Sequence, residues 1–196
     1  MLTLASASPR RRELLRRLTA DFRVLPADVD ETLAAGPTSD TVAALALRKA
    51  RAVADSVRQG VVLGADTVVV IDGEILGKPE SSAEARRMLR RLRGRRHEVV
   101  TGVAVVDATS GRWATEVVVT AVLMRDYDDA TIEAYVASGE PLDKAGAYAI
   151  QETGAALVAG WIGSFSNVIG LPVETTRRLL ADFGVALSAP ASRSRA

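Results

Sequence analysis

The stretch that decides the fold is "VVLGADTVVVIDGEIL", residues 61–76, in which two runs rich in β-branched residues are joined by Asp72-Gly73. An Asp-Gly pair between two such runs is a strong signal for a two-residue hairpin turn. A carboxylate, Asp66, interrupts the first run where the flanking apolar residues predict a buried strand. Burying a carboxylate is costly unless it is paired, hydrogen-bonded or bound to metal. The alternative is an aspartate exposed at a strand end or bulge.

Strand and helix patterns extend outward from this hairpin in both directions. Further strands are predicted at 2–5, 22–27, 98–107 and 114–125, and residues 145–160 form a loop and β-rich segment. The predicted helices are 9–19, 41–58 with Ser39 or Asp40 as its cap, 82–93, 129–138 and one from Pro172 to about 182. The chain is thus predicted to form a mixed α/β domain over 1–185 with a disordered tail at 186–196.

Composition excludes several kinds of functional site. The chain of 196 residues contains no cysteine and only one histidine, His97, so thiolate zinc sites, disulfides and cysteine nucleophiles are excluded. A metal would have to bind oxygen ligands, which suits Mg²⁺ or Mn²⁺. No apolar run reaches transmembrane length and no secretion signal is visible, so we expect a cytoplasmic protein without a membrane partner. A net charge of +1 does not favour a stable nucleic-acid partner.

Basic side chains occupy two places where they are unexpected. Ser8 and Pro9 predict a helix start, yet three arginines at positions 10–12 follow at the positive end of the helix dipole. Either they are solvated or an anion binds there. Lys49 lies in the middle of the apolar stripe of the predicted helix 41–58, so it either snorkels at the edge of the core or reaches into a pocket.

Other polar candidates have an ordinary explanation as well as a functional one. Glu31 ends the acidic "DVDE" at 28–31, which on its own favours a solvated loop, and Lys78 follows the hairpin as a turn lysine would. Gln151 has the groups to read a base edge, although an edge-strand glutamine is equally compatible. The arginines at 86–96 favour a solvated helix face, with an RNA-binding surface as the rival interpretation.

Eight motifs occur in the order seen in the Maf family, over residues 2–183 without a large gap, and the chain resembles that family. They are "LASASPRRRELL", "DVDE", "LRKA", "GADTVVV", "GEILGKP", "TGVAV", "GEPLDKAGAYAIQ" and "GSFSNVIGLP". The resemblance implies an enzyme that cleaves nucleoside triphosphates between the α- and β-phosphates, releasing the monophosphate and pyrophosphate. It also implies a long mixed sheet flanked by helices, with two lobes around a central cleft, similar to inosine triphosphate pyrophosphatases, and a homodimer.

The resemblance also implies roles for individual residues. Asp66 matches the catalytic aspartate, with Glu31 its partner in binding a divalent metal ion or orienting water. The triphosphate would be bound by Ser6, Arg10, Arg11, Lys49 and Lys78. Arg10, Thr67 and Gln151 match positions associated with substrate choice, whereas Arg12 is expected at the surface.

The family has branches that differ in the preferred base. "DKAGAYAIQ" and "SNVIGLP" resemble the branch that hydrolyses dTTP, UTP and modified pyrimidine nucleotides, as a house-cleaning role would require. Ala149 and the residue after Gln151 depart from that branch, which often has glycine at both positions. The same chemistry on 7-methyl-GTP therefore stays an alternative, as does a non-enzymatic role in regulating septum formation.

Overall fold

The computed structural model describes residues 1–32 and 36–188. Its centre is a mixed seven-stranded sheet with the strand order β2-β1-β3-β5-β6-β7, in which β4 also pairs with β3. β1 is parallel to β2 and β3, and all other pairs are antiparallel. The strands are β1 (Leu2–Leu4), β2 (Phe22–Val24), β3 (Val61–Ile71), β4 (Glu74–Leu76), β5 (Arg96–Asp107), β6 (Trp113–Met124) and β7 (Val158–Ile162).

Helices cover both faces of the sheet, as the α/β pattern predicts. The longest helix packs against one face of β3 and β5, while leucines from several others form the large core on the opposite face. The helices are α1 (Pro9–Arg16), α2 (Thr38–Val57), α3 (Ser82–Leu92), α4 (Asp129–Ala137), α5 (Phe165–Ile169) and α6 (Val173–Asp182). The predicted open mixed sheet flanked by helices is confirmed.

Most helix starts agree with the sequence, and α2 is the exception. It begins at Thr38 after Pro37, so Ser39 and Asp40 lie inside its first turn and neither is the cap. Ser8 does cap α1, because its Oγ accepts from the Arg11 backbone N–H, and α1 ends earlier than predicted, at Arg16. Short α5 was not predicted, since five residues carry little periodic signal.

The sheet has a gap along one edge of β3. β1 pairs only with Val61–Leu63 of β3, and β4 pairs only with Val69–Ile71. In the described chain, residues 64–68 therefore have a strand partner on the β5 side alone. Because successive strand residues point to opposite faces, Asp66 faces α2 while Thr67 faces α1, and both are accessible from this gap.

Two glycines allow α2 to lie unusually close to the sheet. A Cβ on Gly64 would be 2.4 Å from the Ala46 carbonyl oxygen, and one on Gly102 would be 2.5 Å from the Val42 carbonyl oxygen. Glycine in a strand often marks such a close approach of another backbone. The missing side chain of Gly64 thus leaves room for α2, which carries Lys49.

The segment 145–160 contains less strand than predicted. Three short 3₁₀ turns, Glu140–Asp143, Ala145–Ala147 and Glu152–Leu157, precede β7.

The C-terminal segment beyond α6 contacts the domain, since the Ser188 N–H donates to the Leu18 carbonyl. The rest of the tail that is expected to be disordered, 189–196, lies outside the described residues. None of the helices in the described ranges is long and apolar enough to cross a membrane.

Candidate active site

A cleft of about 560 Å³ opens at the gap beside β3. Its walls come from the loop after β1, the start of α1, the middle of β3 and the segment after β4. Seven of the nine predicted site residues line it: Ser6, Arg11, Glu31, Lys49, Asp66, Thr67 and Lys78. Residues far apart in the chain thus meet where the strand pairing is interrupted.

Lys49 and Asp66 form a buried ion pair in the wall of this cleft. Lys49 Nζ donates to Asp66 Oδ1 at 2.8 Å, and the two residues are only 6% and 8% exposed. The same ammonium lies 2.8 Å from Glu31 Oε1. Lys49 therefore reaches into a pocket and does not snorkel, and Asp66 lies in mid-strand with a partner, not exposed at a bulge.

Glu31 is the more solvated of the two carboxylates, with 58% of its side chain exposed. Partial burial opposes ionisation of Glu31, but the hydrogen bond and charge of Lys49, helped by Lys78 and Arg11, hold the pKa of Glu31 below its ordinary value. Glu31 is thus an anion at neutral pH. Its neighbour Asp30 accepts from the Thr32 N–H and takes no part in the cluster.

Arg11 is fixed in the cleft by three acceptors. Its Nε donates to the Gly170 carbonyl at 2.9 Å, and its two terminal nitrogens donate to Ser6 Oγ and Thr67 Oγ1 at 3.3 and 3.2 Å. Burial lowers the pKa of the Arg11 guanidinium, and the charges of Asp66 and Glu31 oppose that shift. A guanidinium held beside the N-terminus of α1 provides an anion site.

The three N-terminal arginines have separate environments. Arg12 is exposed, as predicted, whereas Arg10 lies outside the main cleft with its Nη1 3.8 Å from Asp143 Oδ2. Arg10 and Gln151 instead line a small adjoining depression, together with Lys144 and part of the apolar wall of the cleft. The structure thus groups two of the three predicted specificity residues next to the cleft, and Thr67 inside it.

Three polar residues of this region were not predicted from the sequence: Thr101, Asn167 and His97. Thr67 Oγ1 lies 2.9 Å from Thr101 Oγ1, which donates to the carbonyl of the fully buried Asn167. His97 follows the basic segment 86–96 directly, yet it is buried on β5, and its Nε2 is 2.7 Å from the Tyr148 hydroxyl. The alternation of the charged Arg96 and Glu98 with His97 and Val99 was the signal that could have found His97.

The basic cluster at 86–96 is engaged in surface ion pairs. Arg86 contacts Glu133, Arg90 and Arg93 contact Asp129, and Arg95 contacts Asp72 at 2.7 Å. These contacts join α3 and the turn after it to α4 and to the β3–β4 hairpin. Because these arginines pair with carboxylates of the same protein, they favour a solvated helix face over an RNA-binding surface.

The sequence matches a known protein family over the region that contains the eight motifs and the cleft. A family model described as "Maf-like protein" matches residues 1–183, which include every residue of the cleft. The chain belongs to the Maf family. The resemblance inferred from the eight motifs is therefore confirmed.

Curated relatives within the Maf family match over almost their whole length. A protein of Moorella thermoacetica is 56% identical over 185 residues, 94% of this chain and 95% of the relative. A protein of Anaeromyxobacter dehalogenans is 52% identical over 189 residues, 95% of each chain. Both are named dTTP/UTP pyrophosphatase. Among solved structures, the Staphylococcus aureus Ham1 protein matches with a TM-score of 0.47 and 19% identity, covering 64% of this chain and 72% of that one.

Proposed function

We propose that this protein is a nucleoside triphosphate pyrophosphatase that hydrolyses the bond between the α- and β-phosphates of dTTP and UTP. The observation that carries the proposal is the buried Lys49–Asp66 pair in the wall of a cleft that also presents Arg11 and Lys78. The curated Maf relatives named for this activity, at 42–56% identity, support the same reaction. The products are the nucleoside monophosphate and pyrophosphate.

The chain's own residues supply binding and proton transfer. Ser6, Arg11 and Lys78 bind the triphosphate, because fixed hydrogen-bond donors and cations stabilise developing negative charge at the scissile bridge. Asp66 accepts the proton of the attacking water, a role that suits a positioned carboxylate. Lys49 orients Asp66 and Glu31 through its two contacts of 2.8 Å. Water attacks phosphorus directly, so no covalent intermediate forms.

We also propose Mg²⁺ or Mn²⁺ as the cofactor, held by Glu31 and Asp66. These two carboxylates converge on the Lys49 ammonium, and no group of three or more histidine, aspartate or glutamate side chains suited to a metal occurs in the described residues. Two carboxylates fit Mg²⁺, which often binds one or two of them together with substrate phosphates. When bound, the ion neutralises phosphate charge at the cleaved bridge.

The test is direct product analysis. Purified protein is incubated with Mg²⁺ and each of dTTP, UTP, dCTP, dGTP and 7-methyl-GTP, and pyrophosphate and phosphate are measured separately. We expect pyrophosphate and monophosphate, fastest from dTTP and UTP, with activity lost in EDTA and restored by excess Mg²⁺. Release of diphosphate and phosphate would contradict the proposal, and preference for 7-methyl-GTP would move the protein to the other branch.

A homodimer and a cytoplasmic location stay predictions from the resemblance and the sequence. The edge strand β7 exposes Trp161 and Ile162, and Phe165 packs 4.9 Å from the Trp161 ring. An exposed apolar edge strand is typical of a protein contact surface, which supports a dimer. Sedimentation velocity of the wild type and of Ile162→Lys would measure whether this edge is used.

A further inference from the structure

Tyr148 lines the cleft but has no role in the reaction proposed above. It is the only aromatic residue among the described residues that line the cleft, and it also lines the depression that contains Arg10 and Gln151. The Tyr148 side chain therefore lies between the phosphate-binding groups and two residues predicted to choose the base.

The surroundings of Tyr148 are apolar, in contrast to the rest of the cleft. Val69, Val99, Ile150 and Ile169 line the same wall, and none of them can bind a phosphate. A nucleobase presents a flat face that packs well on an aromatic ring, preferably offset-stacked or edge to face. The apolar wall thus has the chemistry of a base subsite, whereas Ser6, Arg11 and Lys78 have that of a triphosphate subsite.

The orientation of the Tyr148 ring is fixed from behind by His97. The His97 Nε2 lies 2.7 Å from the Tyr148 hydroxyl, and the two rings meet edge to face at 86°. His97 is 2% exposed and Tyr148 5%, so water does not compete for this hydrogen bond. The backbone before Tyr148 also packs closely on β3. A Cβ on Gly146 would be only 2.9 Å from the Val69 methyls, so the glycine allows this turn to lie against the strand.

We propose that Tyr148 forms the base-contacting wall of the nucleotide site and that His97 is a positioning residue which holds the Tyr148 ring through its hydroxyl. This inference rests on the proposed function and adds the base subsite to it. The His97 Nδ1 has no hydrogen-bond partner among the described residues, so the imidazole is tied to its surroundings through Tyr148. Burial lowers the pKa of His97 to about 4, which keeps the imidazole neutral at working pH.

The kinetic test uses Tyr148→Phe, which keeps the ring and removes the hydroxyl. We expect KM for dTTP to rise about tenfold with kcat changed less than about twofold, because base contact and not chemistry is affected. The inhibition constant of inorganic tripolyphosphate, which has no base, should stay unchanged. The matched control is Tyr127→Phe, which also removes a buried tyrosine hydroxyl, one that donates to the Leu89 carbonyl at 2.8 Å but lines no part of the cleft.

The role of His97 is tested by a pair of substitutions. His97→Phe removes the hydrogen bond and should reproduce the KM of Tyr148→Phe, and the double variant should be no worse than either single one. His97→Gln keeps a polar group near the Nε2 position and should restore most of the wild-type KM. Equal KM values for His97→Phe and wild type would overturn the positioning role.

A measurement without catalysis follows from His97 being the only histidine of the chain. In protein labelled with ¹⁵N-histidine, dTMP should shift the imidazole signals, and inorganic tripolyphosphate should not. Equal shifts with both probes, or none with dTMP, would overturn the base subsite even if the variants fail to fold. If the wild type releases no pyrophosphate from any nucleotide, the proposed function fails. If it does and Tyr148→Phe behaves as Tyr127→Phe does, only this inference fails.

Discussion

The Lys49 ammonium lies 2.8 Å from Asp66 Oδ1, and this buried contact depends on how closely α2 approaches β3. Lys49 belongs to the helix and Asp66 to the strand, so neither can reach the other without the space that Gly64 leaves. Removing one partner of a buried ion pair leaves an uncompensated charge, which is strongly destabilising. The site is therefore linked to the packing of a single helix on the sheet, and its variants should affect stability and turnover to different degrees.

Asp66→Asn should retain the fold and lose turnover. Asparagine keeps an oxygen that accepts from Lys49, and Glu31 remains as an ion partner of the ammonium. Without a proton acceptor, kcat should fall by at least about a hundredfold, the range for a lost general base. Thermal melting and pyrophosphate release measure both properties. The control is Asp72→Asn in the β3–β4 turn, which should keep full activity. Near-normal turnover in Asp66→Asn would show that Asp66 is not the proton acceptor.

Lys49→Met should lower both activity and stability. The variant leaves the buried Asp66 carboxylate without its cation, and breaking a buried pair in this way costs roughly 3–5 kcal/mol. The double variant Lys49→Met/Asp66→Asn should recover part of this loss, since it removes the uncompensated charge at position 66. Urea unfolding measures the free energies. Arg51→Met, on the exposed face of the same helix, loses only the contact of its guanidinium with the Trp113 ring at 5.0 Å, and should change the unfolding free energy by no more than about 1 kcal/mol.

The sequence revealed the cleft's cations and carboxylates because each one breaks a local pattern. Asp66 interrupts an apolar strand and Lys49 interrupts an apolar helical stripe, and both proved to be buried partners. What spacing could not reveal is which of the adjacent arginines enters the cleft. That depends on the Gly170 carbonyl, which lies 159 residues away from Arg11 in the chain and accepts its Nε proton.

The gap in the sheet was equally invisible in the sequence. The lengths of β1 and β4 decide where β3 loses its second partner, and strand ends are set by tertiary pairing as much as by local composition. His97 illustrates a different limit, because a basic flank suggested solvent while its burial follows from alternation along β5.

Gly64→Ala should separate α2 from β3. The new methyl group would be 2.4 Å from the Ala46 carbonyl oxygen, a backbone atom that cannot move without shifting the helix. Overpacking of this kind typically costs about 1–3 kcal/mol, and displacement of Lys49 from Asp66 should reduce kcat as well. Gly160→Ala is the control, because no heavy atom lies within 4 Å of its added Cβ. Wild-type activity and stability in Gly64→Ala would show that the close approach does not position the site.

Stability should fall between about pH 6.5 and pH 4 because of His97. Burial lowers the pKa of His97 to about 4 in the folded protein, from 6.5 when unfolded. In this window the unfolded chain binds a proton that the folded chain does not. The free energy of unfolding therefore rises as pH increases and decreases as pH falls. A shift of this size corresponds to about 3 kcal/mol in total. Urea unfolding at several pH values should show this slope in wild type, and His97→Gln should lack it. Carboxylates titrate mainly below about pH 5. The difference in unfolding free energy between wild type and His97→Gln from pH 5 to 6.5 therefore reports on the histidine. Parallel curves over that range would show that His97 is not held neutral by burial.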